Sequence, residues 1–161
     1  MNNYKRPSWD TYFLKMAALV AERSTCLRHY VGAVIVKEKR VLATGYNGAV
    51  KGLEDCLKLG CRKNELELKS GFGSEECRAV HAEQNVIIQA ANHGISIKGG
   101  TLYCTRPPCK MCSKEIANSG LTEIVSYQDF GDGGSSKEFL QSCGIKVRIL
   151  DRPNNLIVFK D

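Results

Sequence analysis

Two short stretches hold the side chains best suited to chemistry: His81-Ala82-Glu83 and, downstream, Pro107-Pro108-Cys109-Lys110-Met111-Cys112. One imidazole and two thiols are three ligands of the kind that hold a zinc ion while leaving its fourth position open. Water in such an open position is acidified toward neutrality, so the set points to hydrolysis. Glu83 follows His81 by two residues, a poor spacing for joint ligation from a helix, which leaves its carboxylate free to carry protons.

The elements around these residues explain the spacing. Met111 to Asn118 reads as a helix, so Cys109 and Cys112 sit three apart at its first turn and face the same way. The positive end of the helix dipole lowers the cost of holding both as thiolates. His81 opens the other strong helical stretch, Ala79 to Asn92, so two helix N-termini are expected to converge on one metal. In this order, H-x-E followed by P-C-x-x-C is the signature of zinc-dependent base deaminases. A lone C-x-x-C fits a redox pair or half a zinc knuckle, and a lone H-x-E fits a helix start. The redox reading leaves His81 and Glu83 without a role.

The rest of the chain fits one enzyme domain over residues 1–161. At 161 residues and 43% hydrophobic content it can bury one sizeable core. Met1 to Asp10 is polar and basic, and Met16 to Ala21 is too short an apolar stretch to span a bilayer. Eight cysteines without a secretory signal favour a reducing compartment and metal ligation over disulfides, so a soluble, cytoplasmic protein without a membrane partner is expected. The net charge of +6 is mild and interspersed with acids, as in Lys37-Glu38-Lys39-Arg40; it suits an anionic small substrate, and no nucleic-acid partner is expected.

Ser8 is a candidate N-cap for a helix to about Arg23, with Phe13, Met16, Ala17 and Val20 as its apolar stripe. Val31 to Val36 and Val41 to Tyr46 flank a charged turn and read as an antiparallel pair. Strands follow at Thr101 to Thr105, Glu123 to Tyr127 and Lys146 to Leu150, a helix near Ser135 to Ser142, and an edge strand or docking tail at Leu156 to Phe159. This alternation predicts an α/β fold, a mixed sheet with helices on both faces. Two adjacent strands are expected to feed the two metal-binding helices. Leu102 and Cys104 share one face of their strand, and Cys104 and Cys143 read as buried thiols.

Lys51 to Cys77 breaks the pattern: it is charged, glycine-bearing and weakly periodic, and contains Cys56, Cys61 and Cys77. With Cys26 these make four thiols, enough for a second, structural zinc that would offset the chain entropy of a polar insertion. The alternative is four independent thiols.

Taken together, Val31-Gly32-Ala33-Val34-Ile35-Val36, Gly45-Tyr46-Asn47-Gly48, His81-Ala82-Glu83-Gln84-Asn85 and Pro108-Cys109-Lys110-Met111-Cys112 resemble the deoxycytidylate (dCMP) deaminase family. The resemblance implies a cytidine-deaminase-like three-layer α/β/α fold with a mixed five-stranded sheet. It implies attack of a zinc-activated water at C4 of cytosine, with dUMP and ammonia as products. It also implies a homo-oligomer, commonly a hexamer, often activated by dCTP and inhibited by dTTP. Cysteines equivalent to Cys26 and Cys56 are among the ligands of an additional zinc in some members. Asn47 matches the family's nucleotide-contacting Asn, and Phe130 stands where relatives often carry Tyr near the base. Arg28 is the leading candidate for the 5′-phosphate, ahead of Arg106 and Lys110. One departure concerns regulation: Val50 replaces a Pro common in the segment that takes part in effector binding. Other readings are a tRNA adenosine, guanine or pterin deaminase, and a non-catalytic zinc-stapled nucleic-acid-binding or competence-related protein.

Overall fold

The computed structural model describes residues 5–127 and 134–152. The expectations for Phe130 and for Leu156 to Phe159 lie outside the described residues. In chain order the elements are α1 (Trp9–Ala21), β1 (Gly32–Lys37), β2 (Arg40–Tyr46), β3 (Gly48–Ala49), α2 (Cys56–Leu59), α3 (Arg62–Glu65), a 3-10 turn (Ser74–Glu76), β4 (Ala79–Val80), α4 (Ala82–Asn92), β5 (Thr101–Cys104), α5 (Lys110–Asn118), β6 (Glu123–Tyr127), α6 (Ser135–Ser142) and β7 (Lys146–Leu150).

Ser8 caps α1 by accepting from the Thr11 N–H at 3.2 Å. Glu38 and Lys39 both take positive φ, 51° and 61°, the conformation a two-residue turn needs to match strand twist, and they join β1 to β2. The five strands run in the order β2-β1-β5-β6-β7. β1 is antiparallel to β2 and β5, while β5, β6 and β7 are parallel, so the sheet is mixed.

Alternation along the strands feeds two cores. On one face Phe13, Leu14 and Ala17 of α1 pack on Val34, Val36, Tyr103 and Val125. On the other, Ala82, Val86 and Ala90 of α4, Ile116 of α5 and Leu140 of α6 cover Ala33, Ile35, Leu102, Cys104 and Ile124. Burying the Val, Leu, Ile and Phe side chains among these contributes roughly 1.5–3 kcal/mol each. This is the expected three-layer α/β/α arrangement.

Two glycines set how closely the helices approach. A Cβ on Gly32 would stand 2.6 Å from Ala21 N of α1, and one on Gly45 would stand 2.7 Å from Ala82 O and 2.9 Å from Val86 Cα of α4. The second contact presses the helix after His81 directly onto strand β2.

Three local expectations are corrected. Ala79-Val80 is not helical: it pairs with Gly48-Ala49 in a separate two-stranded sheet, so α4 is fed from outside the five-stranded sheet and, of the helices beginning at His81 and Cys109, only the second follows one of its strands. α1 ends at Ala21. Cys143 is exposed at the end of α6, whereas Cys104 is buried as expected. Among the described residues no helix is long and apolar enough to cross a membrane.

Candidate metal centre and substrate pocket

His81 and Cys109 occupy the N-cap positions of α4 and α5, both with extended backbone (ψ 155° and 173°). The Cys109 thiol is not spent on capping its helix with a hydrogen bond. The two side chains face each other: His81 Nδ1 lies 3.6 Å from Cys109 Sγ and 3.4 Å from Cys112 Sγ. Two ligands at ordinary Zn–S and Zn–N lengths and a tetrahedral angle stand about 3.6 Å apart, so the donors are already spaced for zinc. Among the described residues these are the His, Cys, Asp and Glu side chains whose donor atoms gather, three together, within 4.8 Å of one another. Three donors on two helix N-termini could hold a metal ion and leave a position open.

Second contacts hold the pair of helices in place. Gln84 accepts from the His81 N–H at 3.1 Å and donates to Glu115 of α5 at 2.9 Å. Asn85 donates to Tyr46 O at the end of β2, 2.7 Å away. Thr105 Oγ1 accepts from Gly32 N at 3.1 Å, tying the start of the Thr105–Cys109 connection to β1. Sequence reasoning missed Gln84, although a glutamine three residues after an N-cap is a capping-box position.

The electrostatics suit deprotonated sulfur. Cys109 is pulled down to about 4, first by a hydrogen bond from the Cys112 thiol and then, against its own burial, by His81. Cys112 moves up in turn, because its proton serves that bond. His81 is raised, chiefly by its hydrogen bond to Cys109. Glu83 is 4% exposed, beside this cluster, and burial pushes its carboxyl up to about 7 against the pull of His81.

His81, Glu83 and Cys109 open into a pocket of about 630 Å³, lined also by Cys26, Asn47 and the 56–79 region. Asn47 is buried and works as a brace: its Oδ1 accepts from Val31 N (2.8 Å) and Ser24 Oγ (2.7 Å), and its Nδ2 donates to His29 O (2.9 Å). Arg28 is held by Asn64 Oδ1 and Leu68 O, each at 2.7 Å. Arg106 and Lys110 also reach the pocket, with Lys110 turned toward Ser135 O (3.3 Å) and the Phe139 ring.

Cys26, Cys56, Cys61 and Cys77 line the same pocket. The backbone N–H groups of Arg28 and His29 point at Cys26 Sγ, at 3.4 and 3.5 Å. Burial raises the Cys56 thiol, and the other three cysteines raise it further. The four are neighbours, yet no three of their sulfurs come within 4.8 Å of one another as the His81 set does.

With the geometry in hand, the profile of the cytidine and deoxycytidylate deaminase zinc-binding region matches residues 7–128. This chain belongs to the cytidine and deoxycytidylate deaminase family. It is 36% identical over 155 residues to the deoxycytidylate deaminase of Schizosaccharomyces pombe, covering 96% of this chain and 48% of that protein. It is 41% identical over 144 residues to the deoxycytidylate deaminase of Saccharomyces cerevisiae, covering 89% of this chain and 45% of that protein. The chain thus spans about half the length of these two curated relatives. The crystal structure of dCMP deaminase from cyanophage S-TIM5, in complex with dCMP and dUMP, superposes with a TM-score of 0.75 at 30% identity. That match covers 91% of this chain and all of the phage chain, and the fold is cytidine-deaminase-like.

Proposed function

We propose that this chain is a zinc-dependent deaminase that hydrolyses dCMP to dUMP and ammonia, its catalytic apparatus contained in one domain. The observation that carries the reading is a buried carboxylate, Glu83, beside three zinc-type donors at the wall of a nucleotide-sized pocket. A zinc held by His81, Cys109 and Cys112 supplies the polarising charge that makes water a nucleophile at neutral pH.

The remaining work belongs to protein groups. Glu83, buried beside the metal ligands, takes a proton from the attacking water and delivers it to N3 of the cytosine ring as oxygen bonds to C4. It then carries the second water proton to the exocyclic amine, the C4–N bond breaks, ammonia leaves and the carbonyl of dUMP remains. Asn47 has one amide hydrogen engaged by His29 O and offers the other to the nucleotide. Arg28, which lines the pocket, is our candidate for the 5′-phosphate, and Phe130, by its place in the sequence, is our candidate for stacking on the base.

For the insertion we propose a structural zinc on Cys26, Cys56, Cys61 and Cys77; the shared pocket wall and the two N–H groups aimed at Cys26 support it. We also propose a cytoplasmic homohexamer responsive to dCTP and dTTP. Sedimentation and assays with each effector test that assembly and the effect of Val50.

The deciding experiment compares deamination of dCMP, CMP, deoxycytidine, dCTP and a tRNA anticodon stem-loop by the zinc-loaded protein. Preferred turnover of dCMP is expected. Turnover of another substrate with none of dCMP assigns the site to a different deaminase. Salt-dependent binding of single-stranded nucleic acid without any turnover favours the non-catalytic alternative.

A further inference from the structure

Among the described residues, two sets of polar side-chain contacts join α4 to α5, and the metal donors make up only one of them. His81 and Gln84 are three residues apart across the first turn of α4, and Cys112 and Glu115 are three apart on α5, so each pair lies along one side of its helix. His81 Nδ1 faces Cys112 Sγ at 3.4 Å, and one turn farther along both helices Gln84 Nε2 donates to Glu115 Oε1 at 2.9 Å. The same glutamine turns its Oε1 back to the His81 backbone N–H, 3.1 Å away. These partners fix the orientation of the amide, since an N–H requires its carbonyl and a carboxylate requires its NH₂ group.

Donors divided between two helices close on one ion only where the helices keep their spacing and rotation. A contact one turn away from the donors supplies both constraints in advance, so less ordering is left to the binding step. Groups that orient a metal-binding imidazole commonly change metal affinity 10–100-fold. Gln84 is joined to the backbone of that imidazole on one side and to the thiolate helix on the other. A glutamine that only capped α4 would need no acid on α5. Glu115 has no ion pair among the described residues, gives an oxygen to this amide, and stands near enough for its charge to act on Cys112 and Glu83. Neither Gln84 nor Glu115 lines the pocket, so the bridge bears on the metal donors and not on the nucleotide.

We propose that Gln84 and Glu115 are positioning residues of the metal centre: their bridge presets the gap between His81 and Cys112, which tightens zinc binding and slows zinc loss. The proposal rests on the zinc reading of the His81 set given above. Glutamine suits the position because one side chain both accepts and donates, whereas a glutamate there could not donate to Glu115.

The test titrates the zinc-loaded protein with a competing chelator, as wild type, Gln84→Met, Glu115→Ala, His81→Ala, and the exchange of Gln84→Glu with Glu115→Gln. The zinc equivalent that His81→Ala lacks reports this site. Gln84→Met should hold that equivalent about 10-fold more weakly, the low end of the range because Glu115 is exposed to solvent. Glu115→Ala changes an exposed position and leaves the His81 N–H satisfied, so it should weaken zinc less. The exchange keeps the net charge and rebuilds the bridge with reversed polarity, the carboxylate on α4 accepting from both the His81 N–H and the amide on α5; it should hold zinc nearly as wild type does. Turnover of dCMP by Gln84→Met should fall at low buffered free zinc and recover as zinc is raised, with KM unchanged. The proposal is overturned if Gln84→Met, or Glu115→Ala should Gln84→Met fail to fold, holds zinc as wild type does. It is overturned equally if the exchange is as weak as Gln84→Met, or if the lost turnover does not return at saturating zinc. Equal zinc in wild type and His81→Ala removes the metal reading and the proposal with it; loss of zinc in His81→Ala alone removes the proposal and leaves that reading standing.

Discussion

Replacing Gly45 with alanine tests how the sheet positions the chemistry. The new Cβ would lie 2.7 Å from Ala82 O and 2.9 Å from Val86 Cα, where ordinary contact begins at 3.4 Å. Both neighbours are helix backbone and Val86 N lies closer still, so relief requires α4 to shift by more than about 0.7 Å, the difference of 3.4 and 2.7 Å. Overpacking of this kind costs about 1–3 kcal/mol, which for a domain of this size lowers Tm by about 3–10 °C. The displaced helix carries Glu83 and begins directly after His81, and a misplacement of about 1 Å can cost on the order of 100-fold in rate. We therefore expect Gly45→Ala to lower kcat for dCMP by about 10–100-fold while the protein still binds zinc. Gly32→Ala is the comparison: its Cβ would collide with α1, which bears none of the site residues, so Tm should fall while kcat falls much less than in Gly45→Ala. Thermal melts and steady-state assays on the zinc-loaded variants decide the matter. Equal loss of kcat in both variants, or no loss of either quantity in Gly45→Ala, would refute the link between this close approach and the site.

Glu83→Gln should retain zinc and fold while losing about 100- to 10,000-fold in kcat, because the amide cannot take the proton; near-normal turnover would end its assignment as the acid–base group. Cys56→Ser should lower bound zinc by about one equivalent per chain and reduce Tm, and unchanged metal content would leave the insertion cysteines as independent thiols. Asp10 bonds Arg148 at 2.6 and 3.0 Å and accepts from Tyr103 at 2.9 Å; the Arg148 contact, above all, holds its carboxyl below the usual carboxylate range. A depressed acid contributes stability above its unfolded-state pKa and loses it as pH falls through the folded one, so the contribution is complete at neutral pH and fades below about 4. Asp10→Asn should accordingly destabilise by about 1–2 kcal/mol at pH 7 and show a flatter acid limb in melts from pH 6 to pH 3; parallel acid limbs would show that this acid adds nothing.

What could be read in the chain depended on how local its causes were. Ser8, the charged hairpin turn, and the β6, α6 and β7 segments announce themselves through caps, turn chemistry and period, and lie where expected. The His81, Cys109 and Cys112 set was legible because metal chemistry constrains residue type and spacing together. Ala79-Val80 was not, since two residues have no period and their strand exists only through pairing with Gly48-Ala49. Cys143 reads as an apolar residue near a helix end, and whether another layer covers it is not a local property.

The antiparallel pairing of β1 with β5 also governs how freely the substrate-facing wall can vary. The chain between them, residues 38–100, is 63 residues long, and the 51–77 segment makes up 27 of these. Without that segment the loop would be 36 residues long, and closing 63 instead costs only about 0.5 kcal/mol more, because closure entropy grows with the logarithm of length. The sheet on which the Glu83-bearing helix rests scarcely registers the size of the segment that lines the pocket. Ligand preference can therefore be lengthened, shortened or rewritten in 51–77 while folding of the sheet proceeds nearly as before.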